Sequence, residues 1–315
     1  MRRKAIIFGL KGYKLSKPQI SLLKKTKPWG VILFSRNIKN ILQLKKFVSD
    51  IKKVFNDKKY PILIDQEGGK VSRLNKIIDL RIFSQNYFGQ FYKKDKKNFY
   101  RHYKIYIDST CGILKDLGIN INTAPVLDIK RKGSHEIIGS RSFSEKTNDV
   151  IKLGNTCIKL HHKNKIASVI KHIPGHGLSK YDSHLVTPII NTKKVNLIKK
   201  DFKPFKFCNS LFGMTAHIIY TAYDKNFTAT HSKHIIDHVV RKHMKFKGLL
   251  ISDDISMKSL KFNLETNAIK ALNAGCNLIL HCNGNMREMY KLAKVIPFIN
   301  NFIKKKTSHF YKFLG

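Results

Sequence analysis

The chain has 315 residues, 42% of them hydrophobic, which is enough to build a core and excludes a disordered chain. Its formal net charge is +41, but only ten of the 61 basic residues are Arg, and the lysines run along the whole chain instead of gathering with aromatics on one element, as a nucleic-acid binder would arrange them. Five scattered cysteines without a CxxC pair exclude a disulfide framework or a zinc knuckle, and the apolar run 5–10 stops at Lys11, too short for a secretory signal or a membrane span.

Short β-branched runs alternate with amphipathic ones. Strands are predicted at 4–10 (KAIIFGL), 30–35 (GVILFS), 61–65 (PILID), 120–128 (NINTAPVLD), 167–170 (ASVI), 212–217 (FGMTAH), 248–253 (GLLISD) and 277–282 (NLILHC). Helical periodicity falls at 38–55, 100–117, 148–164, 232–243, 264–274 and 286–302. Gly118, Gly248 and Gly275 stand where such helices should end. Residues 77–97 read as an irregular excursion. Eight β-then-α units point to an α/β fold of the (β/α)8 TIM-barrel type, a single domain over 1–315. The alternative is a doubly wound open sheet, but no GxGxxG follows the first strand.

In such a barrel the chemistry sits at the C-terminal strand ends. The few acidic residues collect there: Asp65 and Glu67 after the third strand, Asp128 after the fourth, Asp182 after the fifth, Asp253 and Asp254 at the seventh. His172, His176, His184 and His217 fall on the same rim. The loop after the fifth strand, from about 171 to 191, is long, and Pro174 with Gly175 and Gly177 marks it as ordered and functional. Pro-Gly between His172 and His176 excludes reading them as paired ligands on a helix. Asp182 and His184, two apart on an extended segment, would point the same way, so the carboxylate could orient the imidazole for proton transfer.

"KHIPGHG" at 171–177 followed by "DSH" at 182–184 resembles the signature of glycoside hydrolase family 3, and is most similar to its single-domain bacterial β-N-acetylglucosaminidases. In the same order stand "IDQEGGKVSRL" (64–74), "APVLDI" (124–129), "IGSRSF" (138–143), "MTAHIIY" (214–220), "SDDISM" (252–257) and "AGCNLIL" (274–280). The resemblance implies a retaining mechanism with Asp253 as nucleophile and His184, assisted by Asp182, as acid/base. It implies sugar binding by Asp65, Arg73, Arg141, Lys171 and His172, with Arg141 on the N-acetyl carbonyl or a nearby hydroxyl. It further implies hydrolysis of terminal β-linked GlcNAc from cytoplasmic GlcNAc-anhydroMurNAc peptides by a monomer without metal or cofactor, in peptidoglycan recycling and so in cell-wall biogenesis, cell shape and division. Cationic neighbours, Arg and Lys, are expected to keep Asp253 ionised. Glu67 reads as a brace of its loop, Asp254 as the cap of the following helix, Asp128 as the partner of a neighbouring cation and His176 as a loop organiser, while His217 reads equally as a satisfied rim histidine or a substrate contact. Lys70 and Asn277 depart from the Arg and Asp usual in the family.

The residues admit two other readings. A metal-dependent barrel hydrolase would use rim His and Asp as ligands, but its His-x-His is missing from "IIFGLKG" at 6–12. A catalytically inactive, basic sugar- or nucleic-acid-binding protein would have no reason to keep Asp182, His184 and Asp253.

Overall fold

A computed structural model describes residues 2–133 and 135–315. Among them, eight parallel strands close a barrel: Lys4–Gly9, Pro28–Leu33, Ile62–Ile64, Ile121–Asn122, Ala167–Ile173, Phe212–Thr215, Leu249–Asp254 and Leu278–His281. They pair in chain order, and the first closes on the eighth through Ile7 opposite Leu280. Every predicted strand is present. Their continuous apolar runs reflect burial on two faces, barrel interior within and helices without. Ile6, Phe8, Val31, Leu63, Val169, Leu250 and Ile279 are all fully buried. Each such side chain contributes roughly 1.5–3 kcal/mol relative to leaving it exposed.

The strand ends differ from expectation where it matters for the site. The fifth strand continues past Ile170 to Ile173, so Lys171 and His172 belong to the strand and the loop starts at Pro174. Polar side chains ended the apolar signal there, but backbone pairing of Ile173 with Thr215 continues. The fourth strand is shorter than predicted. Beyond Asn122 the chain runs irregularly over the mouth, touching the fifth strand at Val126 and Lys171.

Helix boundaries follow their caps. Asn263 accepts the Thr266 N–H and opens Leu264–Ala274, and Gly275 closes it at φ +116°. Three helical expectations are corrected. The excursion 77–97 contains a helix, Gln85–Lys94, capped by Ser84. The run 286–302 is two helices, Met286–Val295 and Asn301–Leu314, because Pro297 has no N–H to continue the first and Asn300 caps the second. Gly248 is not a helix cap: the left-handed turn after Ile235–His243 is made by Lys245, and Gly248 is needed where a Cβ would lie 2.6 Å from Leu211 O. An unpredicted helix, Lys17–Thr26, starts with a complete Ser16/Gln19 capping box. The last helix closes the bottom of the barrel, where Phe310 packs on Trp29 and Phe212 and Trp29 Nε1 donates to Thr307 Oγ1.

A two-stranded parallel ribbon, Ile189–Ile190 with Ile219–Tyr220, fastens the far end of the loop that follows the fifth strand. Tyr220 Oη donates to Gly175 O at the near end. Gly177 lies so close to Ile129 that an added Cβ would sit 2.0 Å from its carbonyl oxygen. Both roots of this loop are therefore fixed on the barrel.

Candidate active site

A pocket of about 170 Å³ opens at the C-terminal mouth of the barrel. Asp65, Arg73, Arg141, Lys171, His172, His184 and Asp253 all line it. Asp182 stands behind His184, with its Oδ1 2.8 Å from His184 Nδ1. Barrel closure thus brings together all eight residues singled out in the sequence.

One wall is a buried charge network. Asp65 accepts from Lys171 Nζ at 2.5 Å, Arg73 Nη2 at 2.5 Å and Thr123 Oγ1 at 2.6 Å. Glu67 takes Arg141 through Nε and Nη2 at 2.8 and 2.7 Å, and Lys171 Nζ at 2.6 Å. Burial opposes ionisation of both carboxyls. For Asp65, Lys171 and Arg73 outweigh it, and for Glu67, Arg141 and Lys171 do, so both lie below the usual carboxylate range. The network holds three cations against two anions and presents fixed, charge-assisted donors and acceptors to the pocket. Glu67, expected as a loop brace, is the counterion that makes burial of Arg141 and Lys171 affordable. Thr123 went unnoticed in the sequence, although the strand-end rule applied to "NTAP" would have found it. So did Phe34, which Arg36 and Arg73 flank at 4.6 and 5.3 Å from its ring centroid.

Asp253 lies near the end of the seventh strand, within it. Its Oδ1 accepts the Asp254 N–H at 2.8 Å. Burial pushes against its ionisation, but the fields of His172 and His217, the Asp254 N–H and His184 together hold its pKa below the usual value. The expectation of Arg and Lys neighbours is corrected here: in this site the Arg and Lys cations are engaged by Asp65 and Glu67, and histidines face Asp253. His217 is a satisfied rim histidine, with Nε2 on Asp254 O at 3.0 Å and Nδ1 on Thr230 Oγ1 at 2.7 Å. Asp254 braces the rim by accepting from Ser256 and from Cys282 N.

Asp182 and His184 are adjacent for a reason other than the extended geometry expected. Residues 183–185 form a turn, and Asp182 Oδ1 accepts both the His184 N–H and its ring nitrogen at 2.8 Å. This is an Asx turn, so carboxylate and imidazole form one local unit. A carboxylate can only accept, so Nδ1 carries a proton and Nε2 is the atom free for proton exchange.

Lys70 Nζ donates to Glu136 O, a single backbone contact in place of an arginine fork. Asn277 Oδ1 accepts from Arg241 Nη2 and Leu250 N at the base of the eighth strand, away from the pocket. Among the described residues no group of three or more His, Cys, Asp or Glu is placed to hold a metal ion.

The ionisable core predicts a two-stage loss of stability in acid. Burial takes His161, His176 and His231 down to about 4, whereas an unfolded histidine protonates near 6.5. Between those values the unfolded chain binds more protons, so stability falls as pH drops from about 6.5 towards 4. Asp65, Glu67 and Asp128 have depressed folded pKa values, so their contribution is complete above about 4 and is lost below it. Thermal melts between pH 7 and 3.5 should show a progressive fall in Tm that steepens below pH 4; a flat Tm would contradict the assignment.

Comparisons with known proteins agree on one family. The glycosyl hydrolase family 3 N-terminal domain matches residues 6–305. A beta-hexosaminidase of Haemophilus ducreyi is 34% identical over 289 residues, covering 88% of this chain and 81% of that protein. NagZ from Neisseria gonorrhoeae, solved with N-trifluoroacetyl-D-glucosamine, superposes with a TM-score of 0.87 at 27% identity, over 100% of this chain and 90% of that one. A family 3 beta-N-acetylglucosaminidase from Paenibacillus sp. str. FPU-7 superposes with a TM-score of 0.87 at 24% identity; the chain spans 60% of its length, and the likeness speaks for the fold alone.

Proposed function

Since this chain belongs to glycosyl hydrolase family 3 and is a glycoside hydrolase, we propose that it is a retaining β-N-acetylglucosaminidase whose residues 1–315 form one (β/α)8 catalytic unit. The observation that carries this reading is the placement of Asp253 and His184 on one pocket beside the Asp65–Lys171–Glu67–Arg141 network.

On this reading the terminal sugar is held by Asp65, Arg73, Arg141, Lys171 and His172. Asp253 Oδ2 attacks the anomeric carbon while His184 Nε2, protonated, gives its proton to the departing glycosidic oxygen. A glycosyl ester on Asp253 results. Water then enters on the face the leaving group vacated, His184 Nε2 takes its proton, and C1 is released with its original configuration. Asp182 holds the ring's tautomer and steadies the imidazolium in both steps. A histidine suits this exchange because its ordinary pKa lies near neutrality.

The substrates proposed are GlcNAc-anhydroMurNAc peptides and related small carbohydrates, cleaved in the cytoplasm by a monomer that needs no cofactor, as part of peptidoglycan recycling. No helix among the described residues is long and apolar enough to cross a membrane. The deciding experiment pairs an aryl β-N-acetylglucosaminide with the matching β-glucoside and follows the product anomer by NMR. Preferential cleavage of the N-acetyl substrate with the β-anomer appearing first is expected. Preference for the glucoside, or the α-anomer first, overturns the proposal.

A further inference from the structure

Ser183 stands between the two members of the proton-transfer pair and faces the opposite way. Its neighbours at the loop tip are open: Tyr181 is 60% exposed, Leu185 61%, Val186 47%, and the His184 side chain 58%. Ser183 is 4% exposed, and its Oγ lies 2.9 Å from His176 Nε2. Of residues 180–186 it is the one that is buried.

His176 is itself fixed from below. Its backbone N–H donates to Asp128 Oδ1 at 2.6 Å. Asp128, fully buried, also accepts the His172 N–H at 3.2 Å and faces its Nδ1 at 2.7 Å. One carboxylate therefore ties the end of the fifth strand to the root of the loop. The side chain of His176 is buried, and its other nitrogen, Nδ1, has no hydrogen-bond partner among the described residues. Burial and the field of His172 bring its pKa down to about 4, so the ring is neutral near neutral pH and one of its nitrogens is an acceptor. Ser183 can donate to it.

The Asp182–His184 Asx turn is held as a unit, because one carboxylate oxygen accepts from both the backbone and the ring of His184. Where that unit sits over the pocket depends on what ties it to the barrel. We propose that Ser183 and His176 are positioning residues for the proton donor, their buried hydrogen bond, anchored on Asp128, setting where His184 stands over the pocket. The inference rests on the reading of His184 as acid/base. It concerns the placement of that group alone, and neither residue is assigned contact with substrate.

Leaving groups separate placement of the acid from general damage. An activated aryl leaving group departs with little protonation, whereas an unactivated sugar or alkyl leaving group needs the acid. For Ser183→Ala, kcat/KM on chitobiose should fall about 10- to 100-fold, the scale of misplacing a catalytic group by about 1 Å. On 2,4-dinitrophenyl β-N-acetylglucosaminide the loss should stay within about 3-fold. His184→Ala should show the same pattern with a larger amplitude, and Ser183→Thr, which keeps the hydroxyl, should restore the chitobiose rate. His176→Gln breaks the same bond from the other side and should reproduce the Ser183→Ala pattern. Inhibition by free GlcNAc should change little in Ser183→Ala, since the contacts among Asp65, Arg73, Glu67, Arg141 and Lys171 are kept. Equal losses on both substrates, or no loss on chitobiose in either Ser183→Ala or His176→Gln, would overturn the proposal. Failure of the unsubstituted protein to cleave either substrate would instead remove the functional reading on which it stands.

Discussion

Asp253→Asn should reduce turnover at least about 10⁴-fold, the scale of losing an enzyme's nucleophile, with little change in Tm. Asn preserves the shape and keeps an amide oxygen to accept the Asp254 N–H that Asp253 Oδ1 now takes at 2.8 Å. What is lost is the charge that attacks. His172, His217 and the Asp254 N–H hold that carboxyl below its usual pKa despite burial, so it remains an anion well into mild acid. The smaller Asp253→Ala offers a second readout. Azide entering the gap should attack from the nucleophile's face and yield the α-glycosyl azide, restoring consumption of activated substrate without restoring retention. Steady-state kinetics and NMR of the azide product check both. Wild-type-like hydrolysis by Asp253→Asn would remove Asp253 from the mechanism.

Glu67→Ala should be among the most destabilising single changes in the barrel mouth. Glu67 has 1% of its side chain exposed and holds a bidentate Arg141 and Lys171 Nζ. Removing it leaves Arg141 with Ile137 O and the ring of His172, and leaves Lys171 with Asp65 and Thr123 Oγ1. Breaking a buried pair from one side costs about 3–5 kcal/mol, because Arg141 stays largely buried without its carboxylate partner. For a chain of this size that corresponds to a fall in Tm on the order of 10 °C. Glu67→Gln keeps the shape and one acceptor, so it should fall between wild type and Ala. Affinity for GlcNAc should drop as well, since Arg141 and Lys171 line the pocket. Melting curves and inhibitor titration measure the two effects. A Tm within a degree or two of wild type would show that the network is not held together as described.

The strands and most helices could be read from the chain because their determinants are local or periodic. "GVILF", "PILI", "GLLI" and "NLIL" are apolar on both faces, which only a buried parallel strand requires. Misreadings occurred where backbone and side-chain signals diverge. Lys171 and His172 are polar yet continue the fifth strand, because the ladder bonds through main-chain groups. The helix at Gln85–Lys94 reads as irregular chain in the sequence, although Ser84 is a capping residue at its start. Gly248 reads as a helix cap, but its role is to let the backbone of Ser210 and Leu211 approach its own segment.

The Asp182–His184 pair was legible because both residues lie in one turn, even though the turn was mistaken for an extended segment. Ser183 between them was not, since its partner depends on how the loop folds back on its own root. The charge network lies beyond any local pattern: Lys171 reaches Asp65 across 106 positions and Arg141 reaches Glu67 across 74. The same holds for Asp253, whose ionisation is supported by histidines from the fifth and sixth βα units and not by the lysines that dominate the composition. By itself the sequence determined which segments pair, which residue types reach the rim, and the one dyad that a single turn can hold. Which cation meets which carboxylate was decided by tertiary structure alone, because Coulomb and hydrogen-bond partners are set by distance in space, and only closure of the barrel gathers eight strand ends around one mouth.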